Sequence, residues 1–258
     1  IGDWSSDVCS SDLNGGAGTG AQNVPEDTTA VTTVVATDAD SPGQTISYSI
    51  TGGADQALFS IVPATGVLTF NTAPNFEIPT DADTNNVYEV TVTASDSHAP
   101  PATDSQDLSV TVTNANDAPT ITSNGGGATG AQNVDENTTA VTTVTANDVD
   151  LPAQTITYSI TGGADQALFS IVPATGVLTF TTAPNFEVPT DAGANNVYEV
   201  TVTATDDGSP NLSDSQDLSI TVLDVNDAPT ITSNGGGATG AQNVAENTTA
   251  VTTVTATD

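Results

Sequence analysis

The chain has 258 residues, 32 acidic side chains, no Lys or Arg, and a formal net charge of -32. With no cationic side chain to meet phosphate, nucleic-acid binding is excluded, as are a Walker loop, a Schiff-base or PLP enzyme and an arginine clamp on a phosphoryl group. An anionic membrane surface repels such a chain, and no apolar run reaches the ~18–20 residues of a membrane helix, so direct membrane insertion is not expected and the fitting partner is a cation.

Residues 1–13, IGDWSSDVCSSDL, hold Trp4 and Cys9, the one Trp and the one Cys of the chain. Nothing like this string recurs later. Residues 3–13 resemble the translation of a sequencing adaptor joined to a truncated reading frame, and the alternative is a natural disordered tail. Either way, residues 1–13 are expected outside the fold. Cys9 then says nothing about disulfides, and the missing leader carries no weight for localisation.

The rest is a tandem repeat. GGADQALFSIVPATGVLTF starts at Gly52 and recurs from Gly162, and NDAPTITSNGGGATGAQNV starts at Asn116 and recurs from Asn226. Both recurrences fall 110 residues on, a period that marks an array of supersecondary units. Residues 14–118 and 119–228 are two repeats, and 229–258 begin a third. That last piece is too short to build a core and is expected to fray.

Within a repeat the apolar residues alternate with period two. Tyr198, Val200, Val202 and Ala204 fall on one face, with Glu199, Thr201 and Thr203 on the other. Leu218, Ile220 and Val222 alternate likewise, as do Ile156, Tyr158 and Ile160. This is the pattern of half-buried antiparallel strands. Turn signals separate about seven such runs: one near Thr120–Ser123 or just after, then around Ala140–Ala146, Thr155–Ile160, Leu168–Ile171, Gly176–Phe180, Val197–Thr205 and Gln216–Leu223. Seven strands in ~110 residues predict an all-β, immunoglobulin-like Greek-key sandwich for each repeat.

The acids recur with the repeat. Glu26, Glu136 and Glu246 lie near repeat starts, Glu77 and Glu187 lie in PNFE, and Glu89 and Glu199 lie on the polar face of a strand. Asp148 with Asp150, Asp206, and Asn116 with Asp117 sit at strand ends and in a linker. Calcium takes six to eight oxygens at about 2.3–2.6 Å, and carboxylates, Asn amides and carbonyls supply them. With a single His and a single Cys, zinc, copper and iron–sulfur sites are not expected.

These motifs resemble those of cadherin repeats, of the kind found in very large bacterial surface proteins. The x-E-x motif is matched at Glu26, Glu136 and Glu246, and L-D-x-E by PNFE at Glu77 and Glu187. The linker motif is matched by NANDAP at 114–119 and DVNDAP at 224–229, and D-x-D by Asp38 with Asp40 and Asp148 with Asp150. A-x-D-x-G-x-P is matched at Asp96 and Asp206, with His98 in place of its glycine in the first repeat. Asn75 and Asn185 replace the Asp of L-D-x-E, and each linker is one residue short. The resemblance covers residues 14–258 and implies tandem cadherin-type sandwiches in an end-to-end rod.

The resemblance also implies calcium between repeats. A first set comprises Glu26, Asn75, Glu77, Asn114, Asn116, Asp117, Asp148, Asp150 and Asp206. A second comprises Glu136, Asn185, Glu187, Asp224, Asn226, Asp227 and Asp258, and Asp38, Asp40 and Asp96 form half a set. The departures imply fewer ions than the family's usual three per junction. The expected protein is a calcium-rigidified, non-enzymatic segment of a cell-surface or secreted adhesin. Its partners are calcium, neighbouring repeats of the same chain, and like proteins on other cells. A carbohydrate-binding module of a secreted glycan-binding protein is the alternative, and a passive calcium-stiffened spacer is another. His98 reads as a loop residue, Gly125–Gly127 as a flexible loop, and the sequons at Asn137, Asn211 and Asn247 carry little weight.

Overall fold

The computed structural model describes residues 10–11, 19–38 and 43–258. The tail expected at residues 1–13 therefore falls largely outside the described residues, as does Asp40. The chain divides into two compact units. Unit 1 is residues 1–118 with 148–155 and 207–212, and unit 2 is residues 119–147, 156–206 and 213–258.

In unit 1 the described strands are β1 (Ser10–Ser11), β2 (Thr19–Pro25), β3 (Ala30–Thr33), β4 (Ala36–Thr37), β5 (Ser47–Gly52), β6 (Phe59–Ile61), β7 (Val67–Phe70), β8 (Val87–Ser95) and β9 (Thr103–Thr113). They form a four-stranded sheet of order β2-β9-β8-β5, a three-stranded sheet of order β3-β7-β6, and the pair β1-β4. Ser10–Ser11 thus pair with Ala36–Thr37, although their sequence places them outside the fold. A ladder uses backbone groups, so a strand can accept residues that bear no repeat signature.

Unit 2 repeats the plan with β10 (Thr120–Ile121), β11 (Thr129–Asp135), β12 (Ala140–Thr143), β13 (Ala146–Asn147), β14 (Thr157–Gly162), β15 (Phe169–Ile171), β16 (Val177–Phe180), β17 (Val197–Thr205) and β18 (Ser213–Leu223). The sheet orders are β11-β18-β17-β14, β12-β16-β15 and β10-β13. A three-residue 3-10 turn precedes β6 and another precedes β15. The all-β sandwich expectation holds.

One strand lies outside the named runs, whose alternation points to antiparallel pairing: TGAQNVD at 129–135. The segment is β11, and it pairs in parallel with β18 from Thr129↔Asp217 to Asp135↔Leu223. β2 pairs with β9 in the same way. The period-two signal is weak there because Gly, Ala, Gln and Asn carry little apolar contrast. The strand is specified by its partner.

The third, partial repeat supplies an internal control. TGAQNV at 239–244 forms no strand, whereas the same residues at 129–134 do. Only β19 (Thr230–Ile231) and β20 (Ala256–Thr257) pair, because both of their sequences are present. Ile231 is 51% exposed and Val244 43%, against 2% for Ile121 and 7% for Val134. The residues TGAQNV are the same in both places; the parallel pairing with β18 is made by one of them.

Each core forms between the two sheets of its unit. In unit 2, Val200, Val202, Ala204, Leu218, Ile220 and Val222 face Val144, Phe169, Leu178 and Phe180. Phe169 and Phe180 stack at 4.5 Å between centroids, and Tyr198 meets Phe180 edge-on at 5.1 Å. Tyr158 is buried, and its hydroxyl accepts a bond from the Ala146 N–H at 2.9 Å, so its polar tip is satisfied. Just after β14, Gly163 has φ +99°, and a Cβ there would overlap the Glu199 carbonyl.

Two substitutions test this packing by urea unfolding. Leu178→Ala should lower stability by about 2–5 kcal/mol, because it leaves a cavity between the sheets. Gly163→Ala should cost about 1–3 kcal/mol through its left-handed backbone and the carbonyl overlap.

Candidate metal centre

The parallel ladder of unit 1 delivers Glu26 to the linker. β2 ends at Pro25 opposite Thr113, the last residue of β9. The next residue, Glu26, donates its N–H to the Thr113 carbonyl at 3.1 Å. Its carboxylate then bridges two loops. Oε1 accepts the Ala115 N–H at 2.8 Å and Oε2 accepts the Phe76 N–H at 2.7 Å. Those bonds make a charge that is only 2% exposed tolerable.

Phe76 lies in PNFE, so the same contact brings Glu77 in. One carboxylate oxygen each from Glu26, Glu77 and Asp117 lies within 4.8 Å of the others. That is about the widest spacing that two oxygens sharing one calcium can have. Burial raises the pKa of Glu77 above its ordinary value of 4.5, and the carboxylates of Glu26, Asp117 and Asp150 add to the rise. Asp117 is raised from 3.8 by burial and by Glu26, Asp27, Asp150 and Asp148. No Lys or Arg exists in the chain to relieve this repulsion.

Two observations test whether a calcium ion fits. Glu77 Oε2 is buried and has no hydrogen-bond partner. The Asn114 carboxamide can serve the cluster in either orientation. With nitrogen inward, it donates to Glu77 Oε1 at 2.8 Å and Glu26 Oε1 at 3.2 Å. With oxygen inward, its nitrogen lies 3.4 Å from the Leu151 carbonyl. The first orientation suits a metal-free cluster, and the second adds an oxygen ligand. The donor set is all oxygen, so a hard divalent cation fits it.

The other residues of the first expected set are placed as follows. Asp150 is buried, and its Oδ2 accepts the Asp117 N–H at 3.0 Å. Asp148 Oδ1 accepts the Asp150 N–H at 3.0 Å. Asn116 donates from Nδ2 to the Pro210 carbonyl at 3.0 Å. Asn75 Oδ1 accepts the Ile78 N–H at 2.6 Å, a turn contact that occupies the atom expected to ligate. Asp206, in unit 2, is 2% exposed.

In unit 2, Glu136, Glu187 and Asp227 form the equivalent triad. Glu136 Oε1 accepts the Val225 N–H at 2.9 Å and Oε2 the Phe186 N–H at 2.8 Å. These bonds lower its pKa below 4.5. Glu187, Asp224, Asn226, Asp227 and Asp258 are exposed, and Asn226 donates to the Asp227 carbonyl at 3.1 Å. Asn185 Oδ1 is buried without a hydrogen-bond partner. In unit 1, Asp38 is half-buried, and Asp96 Oδ1 accepts the N–H groups of His98 and Ala102, both at 3.0 Å.

Sequence reasoning misses Gln154. Its Nε2 donates to Asn116 Oδ1 at 2.6 Å and to Asp150 Oδ2 at 2.7 Å. The one signal for it is recurrence, since Gln44 and Gln154 share the repeat offset.

The family model described as Cadherin domain matches residues 21–113 and 131–223. The chain belongs to the cadherin domain family. The Fat-like cadherin-related tumor suppressor homolog of Drosophila melanogaster is 30% identical over 183 residues, 70% of this chain and 4% of that protein. Protocadherin Fat 4 of Mus musculus is 32% identical over 201 residues, 77% of this chain and 4% of that protein. The chain thus spans about 4% of the length of the curated relatives it matches. Human Protocadherin-24 EC1-2 superposes with a TM-score of 0.53 at 21% identity, covering 86% of this chain and all of that one. Mouse Cadherin-23 EC22-24 superposes at 0.51 with 23% identity, covering 88% of this chain and 70% of that one. At such identities the solved structures attest the fold alone. Cadherin domains are non-enzymatic, extracellular modules of cell-surface adhesion proteins and generally bind Ca2+. These animal relatives give the bacterial expectation no support. Among the described residues, no helix is long and apolar enough to cross a membrane.

The pKa directions fix the sign of a pH response in chelator. Glu77 and Asp117 have raised pKa values, so their ionisation destabilises the folded state. Their penalty should be relieved as pH falls toward 4.5 and 3.8. The lowered pKa of Glu136 works the other way, and its contribution should be lost as pH falls below 4.5. Amide exchange followed separately in the two units from pH 7 to 4 should show unit 1 gaining protection near its triad before unit 2 loses it.

Proposed function

We propose that the chain is a calcium-binding segment of an adhesion ectodomain, with Glu26, Glu77, Asp117 and the inward oxygen of Asn114 as the first ligands. The observation that carries this reading is the triad itself. Three carboxylates converge, one buried oxygen of Glu77 lacks a partner, and the chain has no cation of its own. Asn116, Asp148 and Asp150 enlarge the set when their present hydrogen bonds are exchanged for an ion. Asp206 and Asn75 complete the set implied by the resemblance. Glu136, Glu187 and Asp227, with Asn185, Asp224, Asn226 and Asp258, make the second centre. Asp38, Asp40 and Asp96 make half of another.

Calcium bound there neutralises like charges and restrains residues 114–119. The adhesion of the parent protein to like proteins on other cells rests on this stiffening and on surfaces beyond the centre. The glycan-binding alternative has little support, because every described Tyr and Phe is buried or half-buried and none is presented to a sugar.

A calcium titration read by thermal melting and hydrogen exchange tests the proposal. Trypsin is of no use, since the chain has no Lys or Arg. Binding in the ~10⁻⁴–10⁻³ M range of extracellular modules is expected. Saturation to about 100 times Kd should add about 2.7 kcal/mol. Glu77→Gln and Asp117→Asn should each weaken binding by roughly tenfold, the effect of losing a charged ligand contact of about 1.5 kcal/mol. A melting shift reproduced by NaCl at equal ionic strength would reduce the effect to screening of the net charge and sink the reading.

A further inference from the structure

We propose that Gln154 is a metal-independent latch that seats the linker against the acidic loop of unit 1. One side-chain NH2 group meets two oxygens that electrostatics would otherwise drive apart, Asn116 Oδ1 at 2.6 Å and Asp150 Oδ2 at 2.7 Å. The same Asp150 oxygen accepts the Asp117 N–H at 3.0 Å. The amide and the linker backbone therefore converge on a single carboxylate oxygen. Asn116 is held from its other end by the Pro210 carbonyl at 3.0 Å.

Gly208 makes the seat possible. A Cβ at that position would overlap the Asn116 carboxamide oxygen and lie 2.7 Å from Gln154 Oε1. The first repeat has His98 at the corresponding place. Gln154, Asn116, Asp150, Pro210 and Gly208 all belong to unit 1.

The latch has two consequences. It orders residues 116–117 before any ion arrives, and hydrogen bonds to a charged acceptor are the stronger kind. It also ties up two oxygens that an additional cation would need, while the Glu26–Glu77–Asp117 triad stays open. Gln154 is thus a positioning residue in the metal-free protein. The first consequence stands independently of the calcium reading, and the second rests on it.

The test is hydrogen exchange at the Asp117 amide of the full chain in chelator, with β17 amides as a control for folding. Gln154→Glu keeps the size but replaces the donor with a carboxylate facing two acceptors. It should speed Asp117 exchange on the order of tenfold, as expected from losing a charge-assisted hydrogen bond. Gln154→Lys keeps a donor and should remain near the parent rate. A packing role would not separate these two variants by charge. Gly208→Ala should also speed exchange, by displacing Asn116 from its seat. The latch is overturned if, with β17 protection intact, Gln154→Glu exchanges like the parent, Gln154→Lys exchanges as fast as Gln154→Glu, or Gly208→Ala changes nothing. Failure of the calcium reading looks different: calcium then fails to slow Asp117 exchange in the parent chain.

Discussion

The parallel pairing of β2 with β9, and of β11 with β18, governs the site. It ends β2 beside the end of β9 and sets Glu26 against the linker. Antiparallel pairing would carry that glutamate to the opposite end of the sheet. From the strand end, one carboxylate accepts two backbone N–H groups, Ala115 from the linker and Phe76 from the PNFE loop. Those two bonds bring Glu77 and Asp117 within reach of the same point. Unit 2 repeats the device with Glu136, Val225 and Phe186.

The arrangement also accounts for the opposite pKa directions of similar carboxylates. Glu136 is governed by its two backbone donors, which favour the charged form. Glu77 and Asp117 are governed by burial and by neighbouring acids, which oppose it. Their excess charge is left without an internal counterion because the chain contains no Lys or Arg. Where an amide is at hand, as at Asn114 and Gln154, a neutral N–H group supplies part of what a cation would.

Much of the fold is legible from residue pattern. Val197–Thr205 reads as a strand with the bounds it has, because Tyr198, Val200, Val202 and Ala204 alternate cleanly and face a core. Glu26, Glu77 and Asp117 are legible as candidate ligands because they recur in loops near other acids. β11 is not legible, because its residues carry little apolar contrast and its register is dictated by β18. Asn75 falls among the expected ligands, yet its oxygen is engaged by the Ile78 N–H, since Asn serves turns as readily as metals.

The sequence by itself determined the two repeats, the all-β class, the excess of carboxylates and the want of any cation to balance them. These are properties of composition and period, and they need no neighbours in space. Only the tertiary structure decided which acids meet, that Gln154 and Gly208 belong with them, and that TGAQNV is a strand at 129–134 but not at 239–244. Those outcomes depend on long-range pairing. A backbone ladder or a shared carboxylate exists only when its partner, distant in sequence, is present and in register.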